Sequence, residues 1–73
     1  MDLTDIDRSV GARIRARRTH LELSQERLAA LAGMDRTAVG KIERGERGVT
    51  VGTLFKLARA LRTTMSDLLE DVR

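Results

Sequence analysis

Two short segments between Ser24 and Gly45, SQERLAALAG and MDRTAVGKIERG, constrain the fold more than anything else in the chain. Each carries at or next to its start a residue that can cap a helix, and each closes on a glycine. Ser24 is a good N-cap, because its hydroxyl can accept from an otherwise unpaired backbone N–H of the first turn. Leu28 and Leu31 then share a helical face, with the small Ala29, Ala30 and Ala32 around them. Gly33 follows, where helices commonly end on a residue with positive φ. Two residues later Asp35 offers a second N-cap, Val39 and Ile42 supply the next apolar face, and Gly45 ends that helix in the same way. Two helices of about two turns, joined by three or four residues that include a glycine, match the helix-turn-helix unit.

Composition limits what can surround this unit. A chain of 73 residues reads as one domain, residues 1–73, near the lower size at which a polypeptide folds alone. With one Phe and neither Trp nor Tyr, its core must come from Leu, Ile, Val, Ala and Met. The absence of Cys removes disulfides and thiolate metal sites, and the lone His20 builds no metal site by itself. His20 is most simply a helix-end residue favoured by the dipole. No metal, cofactor or small-molecule effector is therefore expected. Enzymatic chemistry also lacks candidates, since the acids sit at caps and helix ends and so small a helical bundle leaves little room for a pocket. No apolar run approaches about 18 residues and no charged-then-apolar leader is visible, so the expectation is a cytoplasmic protein with no membrane partner.

The net charge is only +3, yet it is unevenly placed. Thirteen of the fourteen basic side chains lie within residues 8–62, against only Glu22, Glu26, Asp35, Glu43 and Glu46. Acids gather at the ends, as Asp2, Asp5, Asp7, Asp67, Glu70 and Asp71. With a sequence pI of 10.6, a basic middle is the electrostatic footprint of a polyanion binder.

Along the chain every segment carries a helical period, and no run alternates as a half-buried strand would. Thr4 can cap a first helix, with Asp7 three residues on as an acidic form of the capping box. Ile6, Val10 and Ile14 recur every four residues on it, with Leu3 ahead and Leu21 after. Leu21 and Leu23 leave that helix and fill the core beneath the next. Past the central pair, Glu46–Val49 is a loop and Thr50 caps a fourth helix with Leu54, Leu57, Ala58 and Leu61 on its core face. Thr63 or Thr64 then introduces a last short helix bearing Met65, Leu68 and Leu69. The expected fold is all-α, a compact five-helix bundle with a central helix-turn-helix.

From about Ile14 to Leu69 the chain resembles the phage-repressor and Cro-like family of helix-turn-helix regulators, often called the xenobiotic-response-element type. The resemblance rests on IRARRTHLELSQERLAALAG, DRTAVGKIERGER and TLFKLARALRTTMSDLL, whose motifs occur in register. The DRT…IERGER portion also resembles the small controller proteins of restriction–modification systems. Arg62 stands where the family often has Gly, which suggests a differently built turn into the last helix.

The resemblance implies a lambda-repressor-like domain that binds double-stranded DNA and regulates transcription, with the second helix of the pair in the major groove. Carried onto this sequence, Arg36, Thr37 and Lys41 would meet base edges, and Gly40 would allow close approach. Helical spacing agrees, since these positions recur at i, i+3 and i+4 while Val39 and Ile42 point away. Arg36 can offer paired donors to guanine, and Thr37 a hydroxyl or a methyl contact. Ser24 and Gln25, at the positive end of a helix dipole, would meet a phosphate. The Gln25 amide could also brace Arg36 or Thr37. Arg44 and Arg47 would flank a phosphate on the other side, and Arg17 could approach it from the first helix. The family further implies a structural, partly buried ion pair between Arg18 and Glu43.

One recognition helix reads few base pairs, so specific binding calls for a homodimer on a pseudo-palindrome. Val51 and Phe55 form a second stripe beside the core face of the fourth helix. With Leu69 and Val72 they are the expected twofold contact. The competing reading is a protein-binding module, such as the antitoxin half of a toxin–antitoxin pair. Such a module usually carries a tail or a large exposed apolar patch.

Overall fold

The computed structural model describes residues 2–70. Five helices follow in order: α1 (Leu3–His20), α2 (Gln25–Ala32), α3 (Arg36–Glu43), α4 (Val51–Ala60) and α5 (Met65–Leu69). No strand occurs among the described residues. The all-α, five-helix expectation therefore holds, in a body of 31 × 21 × 21 Å. Val72, one of the residues expected in a dimer contact, lies outside the described residues. No described helix is long and apolar enough to cross a membrane.

Local chemistry explains most of the boundaries. Ser24, Thr50 and Thr64 each accept, through the side-chain oxygen, from the backbone N–H three residues on. Gly33 (φ 67°) and Gly45 (φ 73°) take the left-handed conformation that ends α2 and follows α3. Two caps differ from expectation. α1 begins at Leu3, and its N-cap is Asp2, whose carboxylate accepts from the Asp5 N–H at 2.9 Å. Thr4 therefore sits inside the first turn. Asp35 has the extended backbone of an N-cap, but its side chain makes no capping hydrogen bond.

The core is aliphatic, as the composition requires. Ile14, Leu28, Leu57, Leu61 and Val39 are fully buried, with Val10, Ile42, Leu54 and Leu68 around them. Leu21 and Leu23 pack against this cluster from the α1–α2 connection. Leu31 does not join it and stays 48% exposed. α2 packs through Leu28, Ala29 and Ala32, and at about 100° per residue Leu31 lies roughly a third of a turn from the middle of that arc. Alanine on the packed side lets α2 approach its neighbours closely.

α3 packs against both α1 and α2, while α5 closes the bundle against α1 and α4. The α1–α3 crossing is tight enough to require glycine. A Cβ on Gly11 would lie 2.1 Å from the Ile42 carbonyl oxygen and 2.9 Å from that of Glu43. At Gly45 a Cβ would meet the Arg8 Cγ at 2.5 Å and the Arg8 Cα at 2.9 Å. α1 is held at its other side by Arg13 and Arg17. The Arg13 Nε donates to the Asp67 carbonyl at 2.9 Å. Arg17 donates to the carbonyls of Leu61 (2.9 Å) and Arg62 (3.1 Å), satisfying groups left open at the end of α4.

The turn after α4 has an ordinary left-handed form in spite of its residue. Arg62 has φ 55°, its N–H donates to the Arg59 carbonyl, and the Thr63 N–H donates to that of Ala58. This is the Schellman arrangement, usually built with glycine.

Substituting Gly11 tests the crossing. Gly11→Ala should destabilise the fold by about 1–3 kcal/mol through overpacking against backbone, although alanine is the better helix former. Thermal unfolding monitored by circular dichroism should show the midpoint falling; an unchanged or higher midpoint would contradict the crossing geometry.

Candidate nucleic-acid interface

α3 has two chemically distinct sides. Val39, Ile42 and Glu43 are buried, whereas Arg36, Thr37, Lys41 and the following Arg44 are exposed. At about 1.5 Å per residue the eight-residue helix is roughly 12 Å long. The structure thus brings Arg36, Thr37 and Lys41 onto one solvent-facing surface, in reach of a ligand that lies along the helix.

What fixes this orientation is a polar network on the buried side. Arg18 donates from Nε to Glu43 Oε2 at 2.6 Å and from a terminal nitrogen to Oε1 at 3.0 Å. Its other terminal nitrogen donates to the Leu23 carbonyl at 2.8 Å. Gln25 adds a third hydrogen bond to Glu43, from its Nε2 to Oε1 at 3.0 Å. The Glu43 side chain is 1% exposed and that of Arg18 11%. Donating to the Glu43 carboxylate raises the Arg18 pKa above its ordinary value, against the lowering effect of burial. No buried side-chain nitrogen or oxygen among the described residues lacks a partner. One carboxylate thereby ties α1, the entry to α2 and the end of α3 together.

Several residues take places other than those expected. The Gln25 amide bonds Glu43 and not Arg36 or Thr37, because the first turn of α2 abuts the last turn of α3. Gly40 is buried and does not face solvent. A Cβ there would lie 3.1 Å from an Arg44 guanidinium nitrogen and 3.7 Å from Gln25 Oε1. The Arg44 side chain therefore lies across the space that Gly40 leaves, and it pairs with Glu46. Arg17 is directed to the α4–α5 turn by the two carbonyls it bonds, so the structure does not bring it to the α3 surface. The Ser24 hydroxyl is engaged in capping α2. Arg47 is exposed in the α3–α4 loop.

Sequence reasoning missed Gly11 and the roles of Gln25 and Leu23 in the network. A glycine inside the helical run of the first segment was the available signal for a close approach. No local pattern announces a hydrogen bond between residues 25 and 43.

Removing one member of the pair should be far costlier than replacing both. Arg18→Ala or Glu43→Ala alone should lower stability by about 3–5 kcal/mol, since each leaves a buried charge uncompensated. The double variant Arg18→Met, Glu43→Leu should recover much of that loss. Denaturant unfolding of the three variants measures the difference, and additive losses would count against a coupled buried pair.

Comparison with known proteins agrees with the geometry. Residues 14–68 match the model of the helix-turn-helix family HTH_3. The control protein C.SmaI of Serratia marcescens is 45% identical over 65 residues, 89% of this chain and 77% of that protein. The crystal structure of the restriction–modification controller protein C.AhdI from Aeromonas hydrophila superposes with a TM-score of 0.83 at 45% identity. It covers 85% of this chain and 94% of that one. The P22 c2 repressor, solved in complex with a synthetic operator, gives a TM-score of 0.78 at 34% identity, over 84% of this chain and 92% of that one. The chain belongs to the helix-turn-helix family HTH_3 of DNA-binding transcription regulators.

Proposed function

We propose that the protein binds double-stranded DNA sequence-specifically, as a homodimer on a pseudo-palindromic operator, and so regulates transcription in the cytoplasm. The observation that carries this reading is the outward face of α3. Arg36, Thr37 and Lys41 are exposed together on a helix whose opposite side is locked by Glu43. In the reading, Arg36 donates in pairs to guanine O6 and N7, and Thr37 contacts a base edge or a thymine methyl. Lys41 meets a base or a phosphate one turn on. The N-terminus of α2 at Ser24 and Gln25 faces a phosphate with its backbone N–H groups. Arg44 and Arg47 meet phosphates beyond the other end of α3, and such contacts fix register without reading sequence.

Dimerisation supplies the second half-site. Val51 is 75% exposed, Phe55 48% and Leu69 43%, so α4 and the end of α5 present a strip of apolar side chains to solvent. In a twofold dimer this strip meets its own copy, and the two α3 helices lie about 34–36 Å apart, one turn of duplex. The output then depends on protein concentration and on where the operator overlaps a promoter. The likeness to restriction–modification controller proteins supports control of the protein's own gene and of its neighbours.

Selection of bound sites from a random duplex library gives the test ligand. On the selected site, Arg36→Ala should lose about 1–3 kcal/mol of discrimination against a substituted base pair, with non-specific binding much less affected. Eight phosphates neutralised per dimer would give a log K against log salt slope near −7. A flat salt response would instead favour a protein partner.

Sedimentation tests the dimer. Phe55→Asp should shift the protein to monomer and weaken operator binding, while circular dichroism stays helical. An unchanged dimer removes this strip from the proposal.

A further inference from the structure

A second basic surface lies between α2 and α4, and the α3 face does not account for it. The groove runs between Ala30, Leu31 and Gly33 on one side and Lys56, Arg59 and Arg62 on the other, an open depression of about 690 Å³. Its floor is apolar, with Leu31 half-exposed at 48%. Three cations rim it, and no carboxylate lines it. Among the described residues none of Lys56, Arg59 and Arg62 makes an ion pair; only Arg13, Arg18 and Arg44 do.

Arg62 gives the groove a second peculiarity. It holds a left-handed backbone (φ 55°) at the Schellman position where glycine is easily accommodated and arginine is not. Glu22 after α1 takes the same conformation (φ 58°); what sets Arg62 apart is that its side chain stands at the rim of the groove. The hydrogen bonds of the turn do not need that side chain, because they run through backbone atoms: the Arg62 N–H to Arg59 and its carbonyl to Arg17. The guanidinium itself is exposed at the rim.

We infer that this groove docks an acidic segment of another protein, one apolar side chain resting on Leu31 and the surrounding alanines, with carboxylates meeting Lys56, Arg59 and Arg62. Charge complementarity names the sign of the partner, and the apolar floor names its class. A nucleic-acid backbone would bring phosphates and sugars but nothing suited to Leu31, and the groove has no aromatic side chain on which a base could stack. An amphipathic helix laid in a groove satisfies both requirements, with the apolar anchor inward and acids outward. Arg59 also lies 5.8 Å from the centre of the Phe55 ring, so the groove borders the strip assigned above to dimerisation without including it.

The probe is a synthetic helix-forming peptide of glutamate and alanine with leucine at every fourth position, titrated into the 15N-labelled full chain. Amide shifts are expected at residues 30–33 and 56–62. Leu31→Ser should weaken the peptide, and Lys56→Glu combined with Arg62→Gly should weaken it roughly tenfold, since one cation is reversed and a second removed. Arg62→Gly alone should raise the melting temperature while lowering peptide affinity, which separates loss of the site from loss of the fold. A peptide with lysine in place of glutamate should not bind. Shifts centred on residues 36–47, or an unchanged affinity in the Lys56→Glu, Arg62→Gly variant, would overturn the inference. So would a loss of duplex binding in that variant as large as that of Lys41→Ala, because the cations would then belong to the DNA contact.

Discussion

The Glu43 carboxylate is the hub on which the arrangement of the molecule depends. It sits at the last residue of α3, inside the protein, and accepts hydrogen bonds from Arg18 on α1 and Gln25 at the start of α2. Arg18 extends the network to the Leu23 carbonyl, in the connection that precedes α2. Apolar packing alone leaves a short helix free to roll or slide by small amounts, because it is non-directional. Three directed hydrogen bonds to one buried carboxylate remove that freedom. Buried ion pairs are poor sources of net stability, since desolvation offsets much of the attraction. The geometry suggests that this pair instead sets the rotation of α3 about its axis, which decides which side chains face outward.

The same precision imposes a limit on side-chain size. Gly11 allows the backbone of α1 to lie directly against the carbonyls of Ile42 and Glu43, and Gly45 allows the following turn to lie against Arg8. A glycine within α1 costs about 0.5–1 kcal/mol of helix propensity relative to alanine. In return α1 and α3 come close enough for the Arg18 side chain to reach Glu43 in a bidentate geometry. The ion pair and the two glycines are one device: the short crossing distance is what makes the directed bonds possible.

Much of this was legible in the sequence, and the part that was not has a common cause. The caps at Ser24, Thr50 and Thr64, the left-handed glycines 33 and 45, and the core positions of α3 and α4 are local signals, set by residues within a turn of each other. The sequence signals failed where a residue's role depends on something distant along the chain. Leu31 carries the right residue type and spacing for the core, yet the approach of neighbouring helices chose the Leu28–Ala29–Ala32 arc. Arg17 is expected to approach a phosphate from α1, but the carbonyls of Leu61 and Arg62 claim it. Gly40 matched the spacing of an exposed face and is nevertheless covered by Arg44. Long basic side chains have reach enough for several destinations, and only the tertiary fold selects one.

That selection also divides the outward surface into two mechanical classes. Arg36, Thr37 and Lys41 project from a helix fixed by buried hydrogen bonds, so their starting points are set before any ligand arrives. Arg44 is different, because its guanidinium is held over Gly40 by an exposed pairing with Glu46 two residues away. An exposed ion pair is worth only about 0–1 kcal/mol, whereas a phosphate can take both donors of a guanidinium at once. Arg44 can therefore exchange its carboxylate for a phosphate with little loss, and Gly40 leaves the space for it to swing without displacing a neighbour. Glu46 meanwhile places a negative charge beside the duplex on the proposed reading, opposing phosphates that arrive in the wrong register. Like-charge juxtaposition of this kind acts on specificity more than on affinity. On the proposed reading, base-reading side chains preset on α3 and an exchangeable Arg44 need only small adjustments on binding, which keeps the entropic cost of ordering side chains low.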